Sequence, residues 1–225
     1  MAIGFMTKKP VSGGVAPTVA AHYLASDTAT TTQIIPIGTA QAGDILLAIG
    51  LADILAGNPT LVGTGAGVGG SWTNLQPGST MLGNSNYKAI VSYLTCTAGD
   101  ATFHSDNAVF AAGVLIRGAT VVESKLMSDG GSSPRTVTPT LATAYSLIIG
   151  FGISAVVDGY AGTQNMVGLT VLEDDTEPVD DYSDGSDFQM SVWKWAPGTT
   201  TPGAINFTDD SLYLAGITSI LVPFH

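Results

Sequence analysis

Positive charge is nearly absent from this chain. Lys and Arg together number seven among 225 residues, against 18 Asp and Glu and a formal net charge of -11. Binding to a nucleic-acid backbone needs clustered Lys and Arg, so that class of partner is excluded. Attachment to an anionic membrane surface fails on the same ground. No apolar run reaches the roughly 18 residues of a spanning helix. Cysteine is reduced to Cys96, so no internal disulfide forms and folding needs no oxidising compartment. Lys8 and Lys9 are followed by Pro10 and Ser12-Gly13-Gly14 instead of an apolar stretch, and no cleaved signal peptide is expected.

Charged residues make up only 11% of the chain, far below the usual quarter. Exposed helix faces are normally covered with Glu, Lys, Arg and Gln. Here 28 Gly, 11 Pro and 27 Thr take their place, and these residues favour turns and strands. Hydrophobic content is 45%, enough for a real core. No segment combines a 3.6-residue apolar period with caps at both ends, so one or two short helical turns are the most expected, with Leu51–Ala56 as the first place to look.

Apolar segments recur in the same order along the chain. Gly43-Asp44 opens G-D-I-L-L-A-I-G-L, and Ala144-Tyr145 opens A-Y-S-L-I-I-G-F-G, 101 residues later. Tyr87 opens Y-K-A-I-V-S-Y-L and Phe188 opens F-Q-M-S-V-W-K-W, again 101 apart. Val109 and Tyr213 open a third pair, 104 apart. Two similar sets of strands follow, each burying one face and packing together. The expected fold is all-β: a single antiparallel β-sandwich, jelly-roll-like, built from those two sets around one shared core. Residues 1–18 read as an extended N-terminal arm anchored by Ile3, Phe5 and Met6, or as a frayed terminus. Residues 19–225 form the sandwich domain, with quasi-repeat halves at 30–118 and 135–222.

Within the first set, Thr30–Ile37 reads as a strand, with Pro36 marking an edge or bulge. Alternation puts Tyr87, Ala89, Val91 and Tyr93 on one face, and Ile90, Ser92 and Leu94 on the other. Leu55–Gly70 reads as loop. In the second set Met166–Leu172 reads as one strand running into an acidic loop. Phe188, Met190, Val192 and Lys194 share one face; Gln189, Ser191, Trp193 and Trp195 share the other.

Motifs for chemistry are few. Gly65, Gly67 and Gly70 satisfy G-x-G-x-x-G, but S-W-T-N-L-Q-P-G follows where a dinucleotide site needs a helix. The run reads as a flexible surface loop. Glu173–Asp187 contains eight of the 18 acids. Asp180, Asp184 and Asp187 are hard oxygen donors for Ca²⁺, though not at EF-hand spacing; a solvated loop, or a contact with a basic neighbour, is the preferred reading. His22, His104 and His225 have no metal-ligand spacing. Asp100 and Asp106 are nominal glycosidase carboxylates, read instead as turn-capping or structural. Trp72, Trp193, Trp195, Tyr87, Tyr93 and Tyr160 could line a sugar groove. Core packing or a subunit interface is the preferred reading for the Trp193–Trp195 pair. Cys96 reads as a small buried hydrophobe. No catalytic, cofactor-binding or metal residue is assigned.

The pattern resembles the β-sandwich accessory domains of tailed-phage virion proteins found in heads, tail fibres and baseplates. The resembling stretches are Ala42–Ile49, Gly70–Leu75, Tyr87–Leu94, Thr97–Phe103 and Ala111–Gly118. Ile116 stands where the family commonly places an aromatic residue. The resemblance implies a non-enzymatic structural protein of a virion, assembled in the host cytoplasm, with capsid decoration, cement or head vertex as the expected role. The alternatives are a tail fibre or baseplate component, or a carbohydrate-binding module at a host surface. Expected partners are further copies in a symmetric oligomer and major capsid or other virion proteins, with a host-surface glycan in the alternative reading and neither nucleic acid nor membrane.

Overall fold

The structure, a computed structural model, describes residues 16–76, 87–157, 162–181, 186–211 and 214–225. All but the last residues of the arm, and also Tyr160 and Asp184, lie outside them. The described part is all-β, with one short 3-10 turn at Ala66–Val68. That turn falls in the glycine-rich run. The expected site is otherwise occupied, because Leu51, Ala52 and Asp53 complete a strand.

Six strands come from the first half: β1 (Thr18–Ala40), β2 (Ile45–Asp53), β3 (Thr60–Gly63), β4 (Thr73–Gln76), β5 (Tyr87–Thr95) and β6 (Gly99–Arg117). Eight come from the second: β7 (Leu126–Gly130), β8 (Arg135–Val137), β9 (Leu147–Val157), β10 (Gln164–Met166), β11 (Thr170–Asp181), β12 (Ser186–Trp195), β13 (Ile205–Asp209) and β14 (Leu214–Phe224). The first sheet runs β1-β6-β2-β5-β4, with β3 added on β6, and the second runs β11-β12-β9-β14-β7. A third small sheet runs β10-β13-β8. All paired strands are antiparallel.

The two halves have the same topology. Read β7 and β8 together as β1, and β13 and β14 together as β6. The large sheets then show one order, and the β10-β13-β8 sheet matches β3, the first part of β6 and the last part of β1. Counting each long strand as two gives eight strands per half. Their order is 1-8-3-6-5 in the inner sheet and 2-7-4 in the outer one. This is jelly-roll winding. The residue-level match follows from register. Tyr87 pairs with Asp53 as Phe188 pairs with Ala155. Leu47 pairs with Val114 as Ile149 pairs with Val222.

That register refines the repeat seen in sequence. The turn at Ala42-Gly43 corresponds to Ala144-Tyr145, so Asp44 matches Ser146 and not Tyr145. Val109 matches Ile217 and not Tyr213. In the first half Asn107 adopts a left-handed φ of 54° and lets β6 bend without breaking. In the second half the strand stops at Asp209 and resumes at Leu214.

The inner sheets pack face to face. Leu47, Ile49, Val91 and Val114 from one meet Ile149, Phe151, Met190 and Val222 from the other in a central core. Tyr87 and Phe188, equivalent residues of the two halves, touch edge to face with ring centroids 6.0 Å apart. The Tyr87 hydroxyl also hydrogen-bonds the Thr218 hydroxyl across the sandwich. The core is not single, however. Beneath the outer strands of the first half lies a second cluster with Ile35, Leu46, Leu61, Phe103 and Leu115. Beneath those of the second lies a third, with Ile148, Met166, Trp193, Phe207 and Leu221. Inner strands are therefore buried on both faces, which explains their continuous apolar runs.

Several strand boundaries differ from expectation. β1 extends well beyond Thr30–Ile37, and Pro36 lies on an edge strand beside a register shift, as expected. Leu55–Gly70 contains β3. Met166–Leu172 is two strands of different sheets, separated by a turn with Gly168 at φ 89°. The acid-rich stretch is not wholly loop, because β11 runs to Asp181 and β12 begins at Ser186. Backbone pairing with the well-packed β12 carries this polar sequence into the sheet.

The halves are also tied at their ends. Thr120 and Val121 donate their backbone N–H groups to the His225 carbonyl at 2.8 Å, and the His225 N–H donates to the Val121 carbonyl at 3.1 Å. The connection between halves is thereby a strand-like part of the second, with Val122 bridging Phe224.

Gly50 and Gly152 are equivalent positions where an outer strand presses on an inner one. A Cβ at Gly50 would meet the Ser105 hydroxyl at 2.2 Å; at Gly152 it would meet the Phe207 ring at 2.3 Å. The Ser105 hydroxyl can rotate away, whereas the packed Phe207 ring cannot. Gly152→Ala is expected to cost about 1–3 kcal/mol, and Gly50→Ala less, by urea unfolding. Tyr87→Phe strands the buried Thr218 hydroxyl and is expected to cost about 1–2 kcal/mol. Adding Thr218→Val should restore most of that loss in a double-mutant cycle.

Candidate functional site

The glycine-rich run is a packed corner and not a flexible loop. Thr64 and Gly65 donate N–H groups to the Thr102 carbonyl, and Thr97 donates to the Gly67 carbonyl. A Cβ at Gly65 would lie 2.2 Å from the Asp100 carbonyl oxygen. The glycines are there to let two backbones touch. No helix follows, and no phosphate cradle is formed.

Asp100 and Asp106 both lie on β6, six residues apart. At about 3.3 Å per residue they are separated by roughly 20 Å, too far for a glycosidase pair. Each has a local partner instead. Asp100 accepts from the Thr102 hydroxyl at 2.8 Å. Asp106 accepts from the Thr32 hydroxyl at 2.8 Å and faces His104 at 3.5 Å. His225 meets Glu123 at 3.1 Å beside the tie between the halves. His22 lies on β1 opposite Val114. No group of His, Cys, Asp and Glu suited to a metal is found among the described residues.

Trp193 and Trp195 belong to the third core, as the preferred reading had it. Trp193 is only 6% exposed and donates its indole N–H to the Ser191 hydroxyl at 2.7 Å. Ser191 in turn donates to Gln164, which donates to Ser154 at 2.9 Å. Trp72 packs edge-on against Phe103 at 5.6 Å, and Tyr87 lies in the central core. Cys96 is buried, and burial together with the Asp44 charge pushes its thiol up to about 11. It stays protonated at neutral pH and is not a nucleophile.

The strongest ion pair among the described residues is Asp44–Arg117. The guanidinium reaches both carboxylate oxygens, at 3.1 and 2.8 Å, and Asp44 is almost wholly buried. Burial alone would raise this carboxyl. The Arg117 hydrogen bonds, the Gln41 N–H and the Arg117 charge outweigh it and hold the pKa below the ordinary value. The pair staples the turn before β2 to the end of β6 and is structural.

Two surfaces remain. On the outer strands of the first half, Ile34 and Val62 flank His104 in register, and they are 64% and 41% exposed. The matching surface of the second half carries Thr136 and Asn165, opposite Asn206 and Thr208. The first face also carries Asp100 and Asp106, in alternation with His104 on β6, whereas the residues named on the second bear only hydroxyl and amide groups. The other surface is a groove of about 430 Å³ where the ends of β1, β9, β11 and β12 meet. Pro17, Val19, Leu147, Thr170, Lys194 and Trp195 line it, and none of its described lining residues is acidic. Sequence reading put Lys194 on one face with Phe188, Met190 and Val192 but assigned it no role. Its position at a strand end, one step past the alternating apolar residues, was the available signal.

Comparison with protein-family models and with curated proteins finds no match. No described helix is long and apolar enough to cross a membrane.

Because the folded Asp44 carboxyl has a lowered pKa, the staple stabilises the fold above the unfolded pKa near 4 and loses that contribution as pH falls through the lower folded value. Arg117→Met should lower the urea midpoint at pH 7. The gap from wild type should narrow as pH falls below about 4. A gap constant with pH would assign the loss to packing alone.

Proposed function

We propose that this protein is a structural component of a phage virion, a capsid decoration, cement or head vertex protein, acting through its surfaces and not by catalysis. The observation that carries the reading is the pair of outer-strand faces, one with exposed apolar groups and the other built of hydroxyl and amide groups. Apolar and hydroxyl-bearing groups give up water at less cost than ions do, so such faces suit repeated contacts in a lattice. Ile34 and Val62 supply an exposed apolar strip on one of them. A rigid block supports the same role, since both halves are locked through one central core and tied ends. Jelly rolls also serve viral capsids and lectins, a fold-level analogy that raises the reading without deciding it. The partners in this proposal are further copies of the chain and major capsid or other virion proteins. Tail fibre and baseplate are the alternative positions, and a host-surface glycan is the alternative partner, favoured by the groove beside Trp195.

Immunogold labelling of phage particles with antibodies raised against the purified chain is the deciding experiment. Gold on heads is the expected outcome. Gold on tails transfers the protein to the alternative position, and unlabelled particles overturn the virion reading. In a binding assay with particles lacking the protein, Ile34→Asp should reduce occupancy at least roughly tenfold, the scale of a well-placed interface residue. Its melting temperature should stay close to wild type, because Ile34 contributes little to any core.

A further inference from the structure

The two halves differ most tellingly at one matched pair. On β5, Tyr93 stands opposite Thr73 of β4; on β12, Lys194 stands opposite Thr170 of β11. The neighbours on the other side match as well, Leu47 for Tyr93 and Ile149 for Lys194. In the first half the Tyr93 ring packs against the central core. In the second, Lys194 occupies that place, and the groove lies beside it.

Lys194 is also unusual among the cations. Arg117 pairs with Asp44. Lys88 donates to the Ala56 carbonyl and Arg135 to Ser132, and Lys125 has its own interaction. Among the described residues, Lys194 is the cation with neither a hydrogen bond nor an ion pair. It remains half-buried at the mouth of the groove.

We propose that this groove binds a six-membered ring carrying a carboxylate, the acidic monosaccharide unit of a surface polysaccharide. A volume of about 430 Å³ is ample for one six-membered ring. The unpaired ammonium is the complement of the carboxylate and forms a charge-assisted hydrogen bond with it. The Thr18 and Thr170 hydroxyls at the groove suit the sugar's hydroxyls. The volume falls in the lower range of small-ligand sites. This site is independent of where the protein sits on a particle, so its failure leaves the immunogold result untouched.

The test is a ¹⁵N chemical-shift titration of the full chain with D-glucuronate, D-glucose and benzoate up to tens of millimolar. Glucuronate should saturably shift the Thr170 and Lys194 amide signals, with glucose roughly tenfold weaker, the scale of one lost charge-assisted bond. Lys194→Met should reduce glucuronate to the level of glucose. Lys194→Tyr, which supplies the ring that the first half already carries, should abolish binding with the melting temperature unchanged or raised. Three results overturn the proposal: no shift at these residues, equal binding of glucose and glucuronate, or tighter binding of benzoate than of glucuronate. The last would assign the groove to an aromatic acid or a protein side chain in place of a sugar.

Discussion

Face-to-face burial of the two inner sheets is the constraint on which the rest of the molecule depends. Equivalent residues meet there, with Tyr87 against Phe188 near the centre. Each inner sheet is covered on its other side by its own outer strands, so neither half can turn its inner face to water without exposing a large apolar area. At about 25 cal/mol per Å² that exposure is prohibitive. The tie between Thr120, Val121 and His225 then fixes chain ends that the core has already brought together.

Near-equivalence gives the halves their common winding, and departures from it give them different surfaces. The first half keeps its long strands continuous, using a left-handed Asn107 to bend β6. The second interrupts both matching strands. Under its outer strands it buries the Gln164–Ser191–Trp193 hydrogen-bond chain, where the first half places Leu61, Ile90 and the half-exposed Asn74–Ser92 contact. A buried polar chain is tolerated only when its members find partners, and here the Trp193 indole is satisfied. The exchange of Tyr93 for Lys194 places a cation beside the groove.

Much of this was legible in the chain. Alternation separated Tyr87, Ala89 and Val91, which face the central core, from Ile90 and Leu94, which face an outer one, because the side-chain period of a strand is two. The Phe188–Lys194 and Gln189–Trp195 faces were legible for the same reason. The exact offset of the repeat was harder to read. Unbroken apolar runs such as Ile45–Leu51 and Leu147–Ile153 slide past one another without penalty in sequence, so Asp44 aligned equally well with Tyr145. The interruption before Leu214 shifted the last pair further. β3 escaped notice because a four-residue strand among glycines carries no periodic signal.

Composition and patterning by themselves determined that this protein is all-β, that it holds two similar sets of strands, and that its chemistry does not run on clustered bases or disulfides. Local sequence suffices for that, since period, turn residues and charge are local properties. Tertiary structure alone decided that the halves are two jelly rolls with three cores, that Asp100 and Asp106 lie far apart along one strand, and that Lys194 takes the place of a packed tyrosine at a groove. These are relations between segments about a hundred residues apart, set by strand register, and register depends on which faces are buried when the sheets meet.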